Sequence, residues 1–500
     1  MPRPDHARPG DDRPDYDRPG GPWDVPPLSH LRPAGVVDGD TILDPDEVDR
    51  RVGLVAAGLS TRGVRHGDRV AWQLPNWWET VVLYRACWRI GAVAVPIHHR
   101  GGPMLRQVIV DRVHPRVTLV ASDLDPPDDA IEVRGVGDGF GALLDGAPRG
   151  HPSRSRDSAP APPDDAVILA TSGSSGAPKL VRLSHRGLAY KAGAMVAAHG
   201  LRPDDGVLMP APLSHISGLL NGVLIPGAGG LTTVLEDRWD PDHALDLISA
   251  QRVTFMIGPP TFFIDLMAAG AFSPGRVAPL RLVSCGGAGV TPAFVEEARE
   301  RLGAVVKRTY GSTEAPTVTT SHADDPLDRA RDTDGRPVGA AELRVMAGQD
   351  GAGRLEVRGP ELFVGYLDAP APIDENGWYD TGDLARLDGD WVTILGRADD
   401  TIVRGGENIS PGEVEAVCAC IPGVRQAIVV GYPDDRLGQR IGLVVEAETD
   451  VGLDTVARAC EAAGLALFKT PERVVRLDIL PRLDAGKPDR RALAELLAAE

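Results

Sequence analysis

The hydrophobic positions of the chain alternate between two spacings, and this alternation predicts an α/β architecture. The short apolar runs RVAWQL (69–74) and VAVPI (93–97) have the length of buried strands. The segment between them, WWETVVLYRACWRI (77–90), is long enough for a helix and is followed by Gly91. Strands that alternate with helices of ten or more residues indicate layered α/β subdomains.

The same alternation continues after residue 165 and changes character twice. The further strands are predicted at 166–170, 254–257, 280–285 and 304–308, with helices at 184–199, 259–269 and 291–302. From about residue 340 the strands come closer together, which predicts a β-rich subdomain. The last 100 residues or so are α+β, with helices near 411–420, 453–463 and 490–499 and strands near 425–431, 439–447 and 472–478. A unit of that size can fold alone.

Two polar stretches and one break suggest how the chain is divided. Residues 1–22 are nearly all Pro, Arg, Asp and Gly, which is typical of a disordered tail. Residues 148–164 are rich in Pro and Ser and predict an exposed connector. The predicted divisions are a disordered tail at 1–25, a large N-terminal domain at 26–397, a hinge at 398–400 and a small C-terminal domain at 401–500.

Charge and cysteine content exclude several classes of function. The 53 basic and 71 acidic residues give 500 residues a net charge of −18, which argues against binding to nucleic acid or to an anionic membrane. No apolar run approaches the length of a transmembrane helix, and the N-terminus has no apolar signal segment. The five cysteines form no CxxC pair. We therefore expect a reduced, cytoplasmic setting.

Lysine is scarce in this chain. Against 48 arginines there are five lysines, namely Lys179, Lys191, Lys307, Lys469 and Lys487. A compact ammonium and a planar guanidinium are not interchangeable, so each remaining lysine is a candidate for a position that needs the smaller group.

One Gly- and Ser-rich loop has the composition of a phosphate-binding loop. Residues 171–179 read TSGSSGAPK and follow the apolar strand AVILA. Small residues let backbone N–H groups approach a polyphosphate, the hydroxyls add donors, and Lys179 adds a positive charge. The loop lacks the G-K-[ST] ending of a Walker A motif. Taken alone, the segment also fits a flexible Ser/Gly turn.

This loop resembles the phosphate loop of the adenylate-forming superfamily, which includes acyl- and aryl-CoA synthetases, adenylation domains and luciferases. Seven further segments resemble motifs of that family in the same order: PLSHISG (212–218), GGAG (286–289), YGSTE (310–314), YDTGD (379–383), LGRADD (395–400), GGENISPGEVE (405–415) and LPRLDAGKPDR (480–490). The resemblance spans about residues 40–498. It implies that a carboxylate attacks the α-phosphorus of ATP and that pyrophosphate leaves.

The resemblance also implies a set of ATP-binding residues. In it, Tyr310 stacks on adenine, while Asp383 and Arg397 bind the ribose hydroxyls. The full set is Thr171, Ser172, Gly173, Ser174, Ser175, Gly176, Lys179, Gly287, Ala288, Tyr310, Gly311, Asp383 and Arg397.

Four residues are implied to act on the reacting groups. Lys487 would bridge the carboxylate and the α-phosphate, and Thr313 would donate to the α-phosphate. Glu314 would bind Mg²⁺, which prefers oxygen ligands and usually keeps substrate phosphates in its shell. His215 would gate or line the acyl pocket.

The C-terminal domain is implied to be mobile. Family members rotate this domain between an adenylation state and a thioester-forming state, and Asp399 is the corresponding hinge residue. Gly405 and Gly406 would let the pantetheine arm of CoA pass close to the backbone.

The acid is predicted from the candidate pocket, which consists of His215, Ser217, Asn221, Thr261, Gly287, Ser312 and Thr317. Residues 211–235 contain no Asp or Glu to pair with a substrate ammonium, which argues against an α-amino acid. Small and polar pocket residues favour an aryl, cinnamoyl-type or small cyclic acid over a long alkyl chain. Leu180, where most CoA ligases have Gly, and Ser214, where a bulky aromatic residue is common, depart from the family pattern.

Four interpretations of the whole chain stay open. The GGENISP segment is typical of CoA-using members, so an acid–CoA ligase is expected first, with ATP, Mg²⁺ and CoA as small-molecule partners. An AMP ligase that loads a carrier protein is the second. The third is a diazotase-like enzyme that uses ATP to activate nitrite for an aryl amine. A binding protein without catalysis is the fourth.

Overall fold

The computed structural model describes residues 25–125, 127, 130–134, 139–145, 165–171, 178–287, 289–347, 351–404, 407–434, 436–447, 449–482 and 488–499. The predicted tail, except residue 25, and the predicted connector at 148–164 lie outside these residues. The predicted domain limits stay a prediction.

The strands fall into four sheets. In chain order they are β1 (Val36–Asp38), β2 (Thr41–Leu43), β3 (Arg69–Gln73), β4 (Val93–Ile97), β5 (Val117–Ala121), β6 (Ile131–Val133), β7 (Asp165–Thr171), β8 (Lys179–Ser184), β9 (Gly206–Met209), β10 (Thr232–Leu235), β11 (Phe255–Gly258), β12 (Leu282–Gly286), β13 (Val305–Tyr310), β14 (Thr319–Thr320), β15 (Arg336–Pro337), β16 (Glu342–Ala347), β17 (Ala352–Arg358), β18 (Gly365–Tyr366), β19 (Ala369–Pro370), β20 (Tyr379–Asp388), β21 (Trp391–Arg397), β22 (Ile402–Arg404), β23 (Glu407–Ile409), β24 (Val424–Asp434), β25 (Gly438–Ala447) and β26 (Arg473–Leu477).

The helices lie mainly between the strands of the first two sheets. They are α1 (Pro45–Thr61), α2 (Trp78–Ile90), α3 (Pro103–Val113), α4 (Gly139–Asp145), α5 (His185–His199), α6 (Ile216–Leu219), α7 (Ile225–Gly229), α8 (Pro241–Ala250), α9 (Pro260–Ala268), α10 (Pro274–Val277), α11 (Pro292–Leu302), α12 (Leu327–Asp332), α13 (Pro411–Cys418), α14 (Leu453–Ala462) and α15 (Arg490–Ala499). A π-helical turn, Leu220–Leu224, joins α6 to α7.

Two large sheets form the body of the N-terminal part. The nine-stranded sheet has the order β15-β14-β13-β12-β11-β9-β10-β1-β2, and its strands from β13 to β1 are parallel. The eight-stranded sheet has the order β19-β18-β8-β7-β4-β3-β5-β6, with β3 to β7 parallel. The strand β4 is buried at every position, as expected for a parallel strand covered on both faces. The main hydrophobic core, with Trp72, Tyr84 and Trp88, includes residues of both sheets.

The other two sheets are smaller. β16, β17, β20 and β21 form an antiparallel sheet in the order β16-β17-β20-β21. The C-terminal residues form a five-stranded sheet, in which β23-β22-β25-β24 are antiparallel and β26 pairs with β25 in parallel. This sheet has its own cores against α13, α14 and α15.

Local signals explain where many helices begin. The side chain of Asp44 accepts from the N–H of Glu47 at the start of α1, and Ser184 accepts from Gly187 at the start of α5. Thr291 caps α11 in the same way. Such caps satisfy N–H groups that the helix itself leaves without partners.

The predicted α/β fold class, with a β-rich sheet and a small α+β C-terminal part, is confirmed. The strands and helices predicted above lie within a few residues of their positions in the structure. The strand β8 was not predicted, because its residues read as the end of a loop. None of the helices in the described part of the chain has both the length and the apolar character needed to cross a bilayer.

Candidate active site

Five segments of the chain meet at one edge of the nine-stranded sheet, because the parallel strands β9 to β13 all end there. The carboxyl edge of such a sheet is where α/β proteins bind ligands. The residues at this edge are His215, Glu236, Thr261, Gly287 and Tyr310. Four of them are predicted site residues, so the topology gathers side chains that lie far apart in the sequence.

A tyrosine, an aspartate and an arginine form the first cluster at this edge. The Tyr310 hydroxyl donates to Asp383 Oδ2 at 2.5 Å, and Arg397 Nη1 lies 3.3 Å from Asp383 Oδ1. Asp383 and Arg397 face each other across β20 and β21, so the β-rich sheet brings both to the end of β13. Burial, together with the charge of Asp383, raises the pKa of Tyr310 well above its ordinary value. The phenol therefore stays a hydrogen-bond donor beside a charged carboxylate.

The loop after Tyr310 is compact and tightly packed. The Ser312 N–H donates to the carbonyl of Ala315 at 3.0 Å, and the Ser312 hydroxyl accepts from the Ala315 N–H at 3.1 Å. A Cβ at Gly311 would lie 2.4 Å from the nitrogen of Thr317, so only glycine fits there. Thr317 itself has a φ of +34°, which is unfavourable for a β-branched residue. Ser312 therefore holds the loop together, and Thr317 closes it.

Glu314 accepts hydrogen bonds from two residues of a later segment. Its carbonyl accepts from the Phe363 N–H at 2.9 Å, and its Oε1 accepts from the Tyr366 hydroxyl at 3.1 Å. Lys179 Nζ lies 5.4 Å from the centre of the Tyr366 ring. Burial, and then the charge of Glu314, raises the pKa of Tyr366 to about 12. Tyr366 therefore connects the implied Mg²⁺ carboxylate with the implied phosphate lysine, a role that the sequence analysis missed.

The carboxylate of Glu314 fits the ligand chemistry of Mg²⁺. Within the described residues, no group of three or more His, Cys, Asp or Glu side chains is arranged to hold a metal ion. Mg²⁺ is commonly held by one or two carboxylates together with substrate phosphates and water. A single partly exposed carboxylate at the sheet edge agrees with that mode of binding.

The two ends of the predicted phosphate loop lie on neighbouring strands, and its central residues lie outside the described part of the chain. Thr171 ends β7 and Lys179 begins β8, and these two residues pair directly across the antiparallel strands. Arg112 donates to the carbonyl of Pro178 at 2.6 Å. Ser172, Gly173, Ser174, Ser175 and Gly176 lie outside the described residues, as do Ala288, Gly405, Gly406 and Lys487.

The backbone that carries His215 is held by the neighbouring sheet. The Oδ1 atom of Asn76 accepts from the Leu213 N–H at 2.8 Å, and the Tyr84 hydroxyl donates to the Leu213 carbonyl at 2.7 Å. The Asn76 amide also donates to the carbonyls of Met209, Ala211 and Glu236. Asn76 is fully buried, so it fixes the ends of β9 and β10 against each other. Nothing in the sequence pattern distinguished Asn76 from a loop residue.

Three imidazole rings lie in contact around His215, the residue predicted to gate or line the acyl pocket. The rings of His98 and His215 have centroids 5.0 Å apart, and His98 stacks on His99 at the same distance. Burial lowers the pKa of His99 to about 4, with further contributions from His98 and Arg100, so His99 is neutral at pH 7. Neither His98 nor His99 is among the predicted pocket residues.

A network of buried polar side chains hydrogen-bonds to the backbone of this histidine segment, residues 98–101. The Gln73 amide donates to the carbonyl of His98 at 3.1 Å and to that of Gly101. Arg106 donates to Gln73 Oε1 at 2.9 Å and to the carbonyls of Leu124 and Asp125. Both Gln73 and Arg106 are buried, and this arrangement holds the segment in one place.

A second aromatic pair lies at the same edge. Trp239 stacks on Phe262 with centroids 4.6 Å apart, and the Trp239 indole N–H donates to Asp265 at 3.0 Å. Phe262 directly follows the predicted pocket residue Thr261, and its ring covers Gly258. Trp239 and Phe262 are partly exposed. They were not among the predicted pocket residues.

Asn221 lies in the π-helical turn that follows α6. Its amide donates to the carbonyl of Ser217 at 2.8 Å, while its Oδ1 atom has no hydrogen-bond partner among the described residues. The hydroxyl of buried Ser214 also has none there. A buried acceptor without a partner is costly, and π-helical turns are frequent at functional sites.

The predicted hinge residue lies in a pair of exposed turns. The Ala398 N–H donates to the Gly382 carbonyl at 2.8 Å, Asp400 donates to Arg397 at 3.2 Å and Thr401 donates to Ala398 at 3.2 Å. Asp399 stands between these donors and is exposed. The turn thus starts at the residue that pairs with Asp383.

Comparisons with known proteins cover nearly the whole chain. Residues 32–367 match the family described as AMP-binding enzyme, and residues 413–487 match the AMP-binding enzyme C-terminal domain. The chain is 32% identical over 496 residues to the medium-chain fatty-acid–CoA ligase of Escherichia coli K12, covering 88% of this chain and 83% of that protein. It is 31% identical over 508 residues to the indoleacetate–CoA ligase of Aromatoleum aromaticum, covering 93% and 97%.

The solved structures agree with this grouping. The crystal structure of ATP-bound MatB from Rhodopseudomonas palustris superposes with a TM-score of 0.81 at 26% identity, covering 93% of this chain and 96% of that one. The chain therefore belongs to the AMP-binding enzyme family, the adenylate-forming superfamily, as an acyl- and aryl-CoA synthetase-like, AMP-forming ligase.

Proposed function

We propose that the protein activates an aromatic, cinnamoyl-type or small cyclic carboxylic acid with ATP and transfers the acyl group to CoA. The observation that carries the choice of acid is the set of aromatic rings at the acyl end of the site. The stacked His98 and His99, the tilted ring of His215 and the Trp239–Phe262 pair offer flat surfaces, on which a planar ring stacks more favourably than an alkyl chain does. The relative that acts on indoleacetate also uses an aromatic acid.

The first half-reaction needs position and positive charge more than covalent chemistry. A carboxylate oxygen of the acid attacks the α-phosphorus, the bond from that phosphorus to the β-phosphate oxygen breaks, and pyrophosphate leaves. Asp383 and Arg397 would bind the ribose and Tyr310 the adenine, which holds the α-phosphorus in place. Lys179 and Thr313 would donate to the phosphates, and Lys487 would bridge the two reacting groups. Mg²⁺ held by Glu314 would neutralise phosphate charge.

The second half-reaction forms the thioester. The sulfur of CoA attacks the acyl carbon, the bond from that carbon to the phosphate oxygen breaks, and AMP leaves. We propose that this step uses a rotation about Asp399 and that the pantetheine arm passes Gly405 and Gly406. The half-buried, neutral His99, which stacks on His98, adds no positive charge to the acyl end, which suits an uncharged ring.

The test is pyrophosphate release with ATP and Mg²⁺. A panel of benzoic, cinnamic, cyclohexane and straight-chain acids, with nitrite as an additional anion, is assayed with and without CoA. We expect release with a ring-containing acid and turnover only with CoA. Lys487→Ala is the control and should lose adenylate formation while keeping its fold.

Two outcomes would contradict the proposal. Release driven by nitrite and indifferent to CoA would favour the diazotase-like interpretation. Preference for straight-chain acids over every ring-containing acid would show that the aromatic rings do not select the substrate.

A further inference from the structure

Two of the four lysines in the described part of the chain are buried within the protein. The side chains of Lys191 and Lys307 are 0% and 2% exposed. An ammonium that is removed from water needs acceptors around it, because an unpaired buried charge costs many kcal/mol. In a chain with 48 arginines, a buried lysine therefore indicates a position where a compact charge is required.

The ammonium of Lys191 has three acceptors. Its Nζ lies 2.9 Å from Glu361 Oε1, which is also fully buried. It donates to the carbonyl of Thr317 at 3.1 Å and to that of Val338 at 3.4 Å. The ammonium thus makes two hydrogen bonds to carbonyls and one ion-pair contact with Glu361, whose carboxylate oxygens have no hydrogen-bond partner among the described residues. The flat, five-donor guanidinium of arginine does not match this arrangement.

One of these acceptors belongs to the closing residue of the ATP loop. Thr317 has a φ of +34°, and the loop packs so closely that Gly311 has no room for a Cβ beside the Thr317 nitrogen. A β-branched residue keeps such a conformation only where its surroundings hold it. The charge-assisted bond from Lys191 to the Thr317 carbonyl supplies one such restraint.

The other member of the pair begins the segment that holds Glu314. Glu361 is followed by Phe363, whose N–H donates to the Glu314 carbonyl, and by Tyr366, whose hydroxyl donates to the Glu314 carboxylate. Lys191 therefore contacts the end of the implied ATP-binding loop at Thr317, and the segment after Glu361 contacts the same loop at Glu314.

We infer that the buried Lys191–Glu361 ion pair is a positioning device for ATP. It sets the loop of residues 310–317 against the segment of residues 361–366, and so fixes Thr313 and Glu314 where the phosphates bind. Neither Lys191 nor Glu361 touches the substrate. This inference rests on the proposed ATP-dependent function of the same site.

The test separates stability from position. Lys191→Met leaves a buried carboxylate without its partner, so a strong fall in Tm is expected. The double variant Lys191→Met/Glu361→Leu removes both charges, and such exchanges in other proteins are often neutral for stability. We expect the double variant to recover most of the lost Tm, yet to bind ATP and Mg²⁺ about tenfold more weakly than the unchanged protein by calorimetry, as for one displaced hydrogen-bonding group.

Lys307→Met is the matched control. Lys307 is similarly buried and lies in β13, but its Nζ donates to the Ala198 carbonyl and lies beside His199, neither of which belongs to the loop. This variant should lose Tm and keep its affinity for ATP. If it weakens ATP binding as much as the double variant, or if the double variant binds ATP normally, the inference is wrong.

Two further measurements keep the result interpretable. Glu361→Gln keeps an acceptor in place and removes only its charge, so it replaces the double variant if that one does not fold; normal ATP affinity in it would also contradict the inference. Calorimetry needs no acid. An unchanged protein that binds ATP but activates no acid of the panel would refute the proposed acid and leave this inference standing.

Discussion

The two ends of the site, which we propose bind the nucleotide and the acid, are built in different ways. At the nucleotide end, functional side chains hold one another, as Tyr310 and Arg397 hold Asp383. At the acyl end, the support comes from buried residues beneath the site, such as Asn76 under the backbone before His215. The residues at that end are largely rings in contact with rings.

This difference matches what each end has to bind. ATP is the same in every reaction, and charge-assisted hydrogen bonds fix groups to one geometry. The acid is the variable substrate of the family, and stacked rings accept related shapes with small differences in energy. Substitutions at the nucleotide end should therefore remove activity with every acid, whereas those at the acyl end should change which acid is preferred.

The sharpest test at the nucleotide end is Asp383→Ala. The change removes the acceptor of Tyr310 and the partner of Arg397, together with the expected ribose contact. Two lost charge-assisted hydrogen bonds correspond to a fall in kcat/KM for ATP of about 1,000-fold. The loss should be equal for every acid in the pyrophosphate assay.

The control for this prediction lies on the same strand. Asp388 is exposed and pairs with Arg329 on the surface, so Asp388→Ala should leave ATP kinetics unchanged. If the loss of activity in Asp383→Ala differs strongly between acids, the proposed division of the site into two ends is wrong.

The next largest effect is expected at the hinge, which starts beside the nucleotide cluster. Asp399→Pro fixes the φ angle of residue 399. The hydrogen bonds of the turns are donated by Ala398, Asp400 and Thr401, so the substitution leaves these donors in place. Adenylation should survive, and the thioester-forming rate should fall about 100-fold because the second state costs some 3 kcal/mol more. Single-turnover assays with and without CoA separate the two steps. Equal loss of both steps would argue against a hinge at this residue.

Much of the fold could be predicted from the sequence, because helix and strand periods are local properties. The run VAVPI and the helix over 77–90 were located from their spacing alone. The strand β8 was missed because Lys179 and its neighbours directly follow a Gly- and Ser-rich loop, so their sequence reads as the end of that loop.

The candidate site was predicted unevenly for a related reason. Tyr310, Asp383 and Glu314 stand in short motifs, so the resemblance could point to them. His98, Trp239 and Tyr366 have no motif of their own. Trp239 follows β10 of the nine-stranded sheet, whereas His98 follows β4 of the eight-stranded sheet and reaches His215 from there. Tyr366 lies in a later segment that folds back onto Glu314.

At the acyl end, Trp239→Ala tests the role of the ring surfaces. The change removes the stack on Phe262 and a partly exposed indole at the sheet edge. We expect the KM for a ring-containing acid to rise about tenfold, the value of one aromatic contact, with the KM for ATP unchanged. Trp239→Phe keeps a ring and should retain most of the affinity. If the KM for ATP rises instead, Trp239 belongs to the nucleotide end, and its assignment to the acyl end is wrong.

The smallest effect concerns a buried carboxylate at the end of β10. Glu236 lies 3.2 Å from His243 Nδ1, and its Oε2 atom has no hydrogen-bond partner among the described residues. Burial raises its pKa to about 8. Between pH 4.5 and 8 the folded protein keeps a proton that the unfolded chain releases, so the free energy of unfolding falls as pH rises through this window.

Glu236→Gln stays neutral at every pH and should remove this dependence. The variant should match the unchanged protein near pH 5 and exceed its stability near pH 8 by a few degrees in Tm. Thermal unfolding at pH 5 and pH 8 measures the difference. A gain of the same size at both values would mean that Glu236 loses its proton near its ordinary pKa.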